Sequence, residues 1–146
     1  MRTISILGVT GSIGQNTLNV IRYQSRLEEF KVVALTANKN VQLLANNAKE
    51  FRSTYAVISD ESKYKELKNA VSDSDVIPLS GLEGLNAVTN LNVDWTMNAI
   101  VGFAGLRPSL ECAKNGNTLA LANKESLVCG GSLLMSTINQ TGGKLL

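Results

Sequence analysis

The sequence predicts an α/β protein built on a doubly wound, mostly parallel sheet with helices on both faces. Three observations support this prediction. Short apolar runs alternate with segments of helical periodicity along the 146 residues. The apolar runs are rich in β-branched residues, as strands buried on both faces are. One helical segment separates most successive runs, as the crossover between parallel strands requires.

Each predicted element follows from this alternation. The predicted strands cover residues 3–7, 30–36, 55–59, 93–101 and 118–122, a further strand begins at 144, and residues 76–80 are a short extended piece. The predicted helices cover residues 12 to about 24, 40–51, 60–71, 105–116 and 125–143, and 81–90 is a short helix or a loop. The apolar helix faces are predicted at Ile13, Val20 and Ile21 and at Val41, Leu44, Ala45 and Ala48.

Local signals place several helix ends. An acidic first turn favours a helix start at residue 60. Gly116 is expected to end the helix before it, and Gly142 the last helix. The pair Gly130 and Gly131 is expected to loosen that last helix in its middle.

The composition excludes several classes of function. The chain has no histidine, which removes Ser-His and Cys-His catalysis and every histidine metal site. Cys112 and Cys129 form no metal-binding spacing, and we interpret them as small buried residues in a reducing cytoplasm. A net charge of +2, spread along the chain, argues against nucleic-acid binding. No apolar run approaches the roughly 20 residues of a membrane span.

A glycine pattern lies at the first strand-to-helix turn. Gly8, Gly11 and Gly14 stand three residues apart, between the first strand and the first helix. This context is typical of a Rossmann-like dinucleotide site, where the glycines allow a tight turn, approach to a pyrophosphate and close helix packing. Thr10 and Ser12 add hydroxyl donors. The alternative is a glycine-rich turn that binds no ligand.

The end of the second strand favours NADP(H) over NAD(H). NAD-binding folds usually place a carboxylate there, against the ribose hydroxyls. Residues 35–40 contain no carboxylate, whereas Asn38, Lys39 and Asn40 suit a 2′-phosphate. The alternative for Lys39 is an ordinary solvated residue before a helix.

Other residues at the same edge of the sheet are candidates for a ligand site. Residues 122–126 and 98–106 follow strands, so either segment could line such a site or be a simple turn and helix start. Tyr64 and Lys68 have the spacing of a reductase pair but follow the wrong strand, so we interpret them as a solvated face. We expect Trp95, Met97 and Phe103 to lie in the core or a pocket wall.

Four segments carry a resemblance to a known family. They are ILGVTGSIGQNTL, VVALTANKNV, NAIVGFAGLRPSL and LALANKESLVCGG, in this order. Together they resemble the N-terminal domain of the 1-deoxy-D-xylulose 5-phosphate reductoisomerase family over essentially the whole chain. The resemblance implies that residues 1–146 are an NADPH-binding domain, which the family follows with a catalytic, metal-binding domain and a helical domain.

The resemblance also implies a reaction and a set of site residues. The family rearranges 1-deoxy-D-xylulose 5-phosphate and reduces it with NADPH to 2-C-methyl-D-erythritol 4-phosphate, for isoprenoid synthesis. It uses Mg²⁺ or Mn²⁺, typically as a cytoplasmic homodimer. Carried over by position, the resemblance implies NADPH contacts at Thr10, Gly11, Ser12 and Ile13. It implies that the 2′-phosphate is bound near Asn38, Lys39 and Asn40. It also implies further NADPH contacts at Asn123 and Glu125 and a substrate contact at Lys124.

Two positions depart from the family pattern. Val9 replaces a common serine flanking the phosphates, and Asn38 replaces a glycine of some members, where it could adopt a left-handed backbone. The family's metal-binding carboxylates lie beyond the strand that begins at 144. We therefore interpret the chain as one part of a longer protein. We expect this part to bind NADPH but not to turn over substrate on its own. The alternatives are another NADP-linked reductase domain, such as dihydrodipicolinate reductase or a semialdehyde dehydrogenase, and a noncatalytic nucleotide sensor.

Overall fold

The computed structural model describes residues 1–23, 29–122 and 124–146. Within them one seven-stranded sheet forms, and every neighbouring pair of strands is parallel. The strands are β1 (Arg2–Leu7), β2 (Phe30–Ala37), β3 (Tyr55–Ile58), β4 (Ile77–Ser80), β5 (Trp95–Asn98), β6 (Thr118–Leu121) and β7 (Lys144–Leu145). The helices are α1 (Ser12–Tyr23), α2 (Val41–Glu50), α3 (Tyr64–Ala70), α4 (Gly81–Thr89), α5 (Leu106–Lys114) and α6 (Lys124–Thr141).

The strand order identifies a switch point in the sheet. The order is β4-β3-β2-β1-β5-β6-β7, so the chain winds outward to β4 and then returns to the other side of β1. Two loops therefore leave β1 and β5 in opposite directions and open a crevice between them. Open α/β sheets bind ligands at this place.

Two apolar cores cover the two faces of the sheet. One contains the buried side chains of α1, α2 and α3, and the other those of α4, α5 and α6. The predicted face of α2 is confirmed, because Val41, Leu44, Ala45 and Ala48 are all buried. The predicted α/β fold with helices on both faces is therefore confirmed.

The predicted face of α1 is partly wrong. Ile13 and Val20 are 46% and 53% exposed, whereas Gly14, Leu18 and Ile21 are buried. The cause is Gly14, which packs against the backbone of the preceding loop and so sets the rotation of the helix. The predicted end near residue 24 lies outside the described residues.

The fifth strand is shorter than predicted. β5 covers four residues instead of 93–101, because the chain turns away from the sheet after Asn98. A 3-10 turn follows at Gly102–Gly105. Phe103 lies on this turn and is 68% exposed, so of its two predicted places, the core and a pocket wall, the core is wrong. Trp95 and Met97 pack against the first core, as expected.

The expected helix irregularities are present. Gly116 has φ +71° just after α5, and Gly142 has φ +75° just after α6. Gly130 breaks the helical geometry of α6, with φ −135° and ψ 15°. A Cβ there would lie 2.5 Å from Cδ1 of Leu106, so the kink lets α6 pack against the start of α5. Over the described residues, no helix has both the length and the apolar character that a membrane crossing needs.

Candidate dinucleotide site

A cleft of about 370 Å³ lies at the switch point between β1 and β5. Its walls come from the glycine loop, the ends of β2 and β3, helix α4 and the segment that follows β5. The lining residues are Gly8, Thr10, Gly11, Thr36, Ala37, Asn38, Ser59, Leu85, Ala99, Ile100, Val101 and Ala104. The walls are mainly apolar with a few polar groups, as in most small-molecule sites.

The three glycines of the loop lack a side chain for different structural reasons. Gly8 has φ +74°, and a Cβ there would lie 2.9 Å from the backbone of Ala99. A Cβ on Gly14 would lie 2.6 Å from the backbone of Gly8 and Val9. A Cβ on Gly11 would meet only the Gly8 carbonyl oxygen, at 3.7 Å. Packing within the protein therefore explains Gly8 and Gly14, whereas Gly11 leaves open space on the cleft side.

Residues outside the glycine pattern hold this loop in place. The buried Thr36 hydroxyl accepts a hydrogen bond from the Gly8 amide at 3.0 Å. The Val9 amide donates to the Thr36 carbonyl at 2.8 Å, and Gln15 Nε2 donates to the Val9 carbonyl at 2.8 Å. Sequence reasoning missed both Thr36 and Gln15. A threonine ending a buried strand was the available signal for Thr36.

The side chain of Val9 lies in the core and not beside the cleft. It is fully buried in the cluster under α1 and α2. The side chain at position 9 therefore does not line the cleft. Only its backbone belongs to the loop.

The polar segment after β2 lies at the mouth of the cleft. Asn38 lines the cleft, and Lys39 is an exposed side chain directly after it. Asn40 caps α2, because its Oδ1 accepts from the Leu43 amide at 3.2 Å. Among the described residues other than glycine, only Arg52 has a positive φ, so Asn38 does not use the left-handed backbone that it could adopt.

The opposite wall is held by a buried polar network. Asn98 is fully buried at the end of β5, and its Nδ2 donates to the Gly105 carbonyl at 2.9 Å and to Ser109 Oγ at 2.6 Å. Its Oδ1 accepts from the Ile100 amide at 3.1 Å. The network fixes both ends of residues 99–105, which form the wall. Sequence reasoning recognised this segment but not Asn98 and Ser109 as its supports.

The start of α6 lies one strand further along the same edge. The Ala122 amide donates to the Asn98 carbonyl at 3.1 Å, which joins the end of β6 to the end of β5. Lys124 and Glu125 follow in the first turn of α6, Lys124 exposed and Glu125 half-buried. Neither lines the cleft. Asn123 lies outside the described residues.

Two other features lie away from this cleft. Lys68 is exposed on α3, and α3 packs against β4 at one end of the strand order. The Tyr64 and Lys68 pair is therefore distant from the switch point between β1 and β5. A wider depression of about 500 Å³ lies at the opposite edge of the sheet, between Lys49 and Asp73. These two side chains pair with each other at 3.5 Å. Neither feature lies where an open α/β sheet binds a ligand.

The described part of the chain contains no group of three or more His, Cys, Asp or Glu side chains that could hold a metal ion. Cys112 is buried, and burial raises the pKa of its thiol to about 12. It is therefore a neutral core residue, as predicted. The side chain of Cys129 is not described.

Known proteins of similar sequence share one family name. The chain is 46% identical over 145 residues to the 1-deoxy-D-xylulose 5-phosphate reductoisomerase of Rhizobium etli (strain CIAT 652), covering 99% of this chain and 37% of that protein. The Zymomonas mobilis relative is 45% identical over 145 residues, with the same two coverages. The chain thus spans little more than a third of the length of these relatives.

Solved structures agree with the sequence relatives. The Zymomonas mobilis reductoisomerase in complex with NADPH has a TM-score of 0.95 and 45% identity, covering 99% of this chain and 38% of that one. A reductoisomerase complex with NADPH, fosmidomycin and magnesium has a TM-score of 0.92 and 39% identity, covering 100% and 36%. A putative homoserine dehydrogenase from Archaeoglobus fulgidus, at 22% identity and TM-score 0.63, shares the fold alone.

The family profile for 1-deoxy-D-xylulose 5-phosphate reductoisomerase matches residues 4–131, which include the glycine loop, the cleft and the kink of α6. By this match the chain belongs to the 1-deoxy-D-xylulose 5-phosphate reductoisomerase family.

Proposed function

We propose that residues 1–146 form the NADPH-binding domain of an enzyme that converts 1-deoxy-D-xylulose 5-phosphate to 2-C-methyl-D-erythritol 4-phosphate. One observation carries the cofactor assignment. Gly11 lines the cleft, and no packing among the described residues explains why it lacks a side chain. A glycine at this point of a strand-to-helix turn lets the backbone approach a pyrophosphate.

The cofactor pyrophosphate is assigned to the glycine loop. Thr10 and Gly11 line the cleft, and α1 begins at Ser12, with Ile13 in its first turn. The first amides of a helix lack intrahelical partners and carry partial positive charge. The Ser12 and Ile13 amides and the Thr10 hydroxyl therefore offer donors to a doubly charged pyrophosphate, and Gly11 lets the backbone approach it.

The adenosine end is assigned to the segment after β2. Asn38 lies in the cleft, and Lys39 supplies a positive charge at its mouth. Asn40 uses its carbonyl oxygen to cap α2, which leaves its amide nitrogen to donate to a ligand. These groups suit a 2′-phosphate better than a ribose hydroxyl, because residues 35–40 contain no carboxylate.

The nicotinamide end is assigned to the wall at residues 99–104 and to the start of α6. When bound, NADPH supplies the hydride for the reduction. The apolar wall of Ala99, Ile100 and Ala104 excludes water from one side of the cleft. Asn123 and Glu125 are proposed to contact the cofactor and Lys124 the substrate, once a ligand covers this edge.

The remaining activity is proposed for the longer protein. The described residues provide no cluster of metal ligands, so we propose that Mg²⁺ or Mn²⁺ is bound by another part of the whole enzyme. The relatives' NADPH and magnesium complexes support this cofactor and this metal for the whole enzyme. We further propose that the whole enzyme is a cytoplasmic homodimer. Family membership disfavours the alternative of a different reductase.

Calorimetric titration of the purified chain with NADPH and with NADH tests this proposal. We expect saturable 1:1 binding of NADPH and at least tenfold weaker binding of NADH. Equal affinities would contradict the assignment of the 2′-phosphate to residues 38–40, and no binding of either would contradict the site. NADPH oxidation with 1-deoxy-D-xylulose 5-phosphate and Mg²⁺ should be undetectable, and measurable turnover would disprove this division of labour between the chain and the longer protein.

A further inference from the structure

A carboxylate lies beside the segment that is assigned to the 2′-phosphate, although it belongs to a different strand. The Ser59 amide donates to the Ala37 carbonyl at 2.9 Å, and the Asp60 amide donates to the Asn38 carbonyl at 3.0 Å. The chain after β3 thus follows the chain after β2 beyond the end of both strands. Ser59 and Asn38 both line the cleft, and Asp60 and Lys39 are the residues that follow them on these two paired segments.

Local hydrogen bonds hold the Asp60 carboxylate in place. Its Oδ1 accepts from the Ser62 amide at 3.0 Å and from Ser62 Oγ at 2.6 Å, which caps the 3-10 turn before α3. The hydrogen bonds from Ser62 lower the pKa of Asp60, and the charges of Lys39 and Lys63 lower it further. Asp60 is therefore ionised at neutral pH, and its charge is fixed near Lys39.

The neighbouring charges do not cancel this effect. Lys63 lies 3.8 Å from Glu66 and is partly neutralised by it. Lys39 makes no ion pair within 4.0 Å in the described parts of the chain. The Lys39 charge lowers the pKa of the Asp60 carboxyl, so the two side chains interact electrostatically. A dianionic 2′-phosphate bound by Lys39 would experience repulsion from the Asp60 carboxylate.

We propose that Asp60 is a specificity-determining residue that reduces the preference of this site for NADPH over NADH. The inference rests on the proposed function. NAD-binding folds place a carboxylate at the end of the second strand, where it selects against the 2′-phosphate. In this chain a carboxylate stands beside the same segment from the end of the third strand, because the Asp60 amide donates to the Asn38 carbonyl, and its charge opposes that of Lys39. The site therefore carries both a positive group for NADPH and a built-in limit to its affinity.

The substitution Asp60→Asn tests this proposal without removing the turn. An asparagine Oδ1 can still accept both hydrogen bonds from Ser62, so the change removes the charge and preserves the cap. We expect NADPH and adenosine 2′,5′-bisphosphate to bind about 3- to 10-fold more tightly, because solvent-exposed unit charges interact only weakly through water. NADH affinity should change less than twofold. The gain should shrink at high salt, because salt screens an exposed charge.

Asp73→Asn is the matched control. It removes the same charge from the opposite edge of the sheet, where Asp73 pairs with Lys49. The control should leave the ratio of the two affinities unchanged. If the wild type prefers NADPH but Asp60→Asn leaves the ratio of NADPH to NADH affinity unchanged or lower, this inference alone is overturned. A wild type that binds neither dinucleotide would overturn the proposed function and this inference together.

Discussion

The side-chain nitrogen of Asn98 donates to the hydroxyl of Ser109 at 2.6 Å, inside the protein, where both residues are fully buried. This bond belongs to the network that holds the cleft wall at residues 99–105. Hydrogen bonds between buried groups contribute most when the loss of one partner leaves another unsatisfied. The Ile100 amide would lose its side-chain acceptor if Asn98 were truncated.

Asn98→Ala should therefore lower the free energy of unfolding by about 2–3 kcal/mol and weaken NADPH and NADH equally. Both dinucleotides share the nicotinamide half that this wall contacts in the proposed complex. Urea denaturation and calorimetry measure the two effects. Asn139→Ala, which removes an exposed amide from α6, is the control and should change neither. A selective loss of NADPH binding would place the wall at the wrong end of the cofactor.

A pair of glycine substitutions separates folding from binding. Gly14→Ala should lower the free energy of unfolding by about 1–3 kcal/mol, because its Cβ would lie 2.6 Å from backbone atoms. Gly11→Ala should leave the melting temperature nearly unchanged, since its Cβ would enter open space, but should weaken NADPH binding at least tenfold. Thermal unfolding and NADPH titration of both variants provide the comparison. Unaltered NADPH affinity in Gly11→Ala would remove the main support for the pyrophosphate site.

Charge reversal at Lys39 tests the 2′-phosphate assignment. Lys39→Asp should weaken NADPH about 10- to 100-fold and NADH about 3-fold or less, because it replaces a charge-assisted bond with repulsion. Lys31→Asp is the matched control at the far end of the same strand, where the side chain is also exposed. It should leave the affinity ratio unchanged. Equal losses for both dinucleotides at Lys39→Asp would argue that Lys39 serves the loop and not the phosphate.

The buried thiol of Cys112 predicts a loss of stability at alkaline pH. Burial raises the pKa of this thiol from 9.0 to about 12 in the folded protein. The thiol ionises at a lower pH in the unfolded chain than in the folded protein. The stability that the neutral buried thiol contributes is therefore intact below pH 9 and declines as the pH rises toward 12. The slope is about 1.4 kcal/mol per pH unit in that window. Urea denaturation between pH 8 and 10.5 should show a steeper decline for the wild type than for Cys112→Ala, and parallel curves would contradict the buried position.

The fold class and the place of the site were predictable from sequence because both depend on short-range patterns. The alternation of apolar and helical segments requires parallel crossovers, and the spacing of Gly8, Gly11 and Gly14 marks the first turn. The face of α1 was not predictable from periodicity, because Ile13 and Val20 are as apolar as Leu18. Only the contact between Gly14 and the loop backbone selects which side of the helix is buried.

The polar residues that hold the cleft walls could not be predicted from the sequence either. Thr36, Asn98 and Ser109 are polar residues whose partners lie on other elements, so no local pattern reveals them. Asp60 reaches the end of β2 only because β3 pairs with β2 in parallel register. Sequence patterns alone predict the α/β class, the glycine loop and the absence of a carboxylate at residues 35–40. The side chains that hold that loop and the pairing of Asp60 with the segment before Lys39 depend on tertiary contacts, because these interactions join residues that are close in space and distant along the chain.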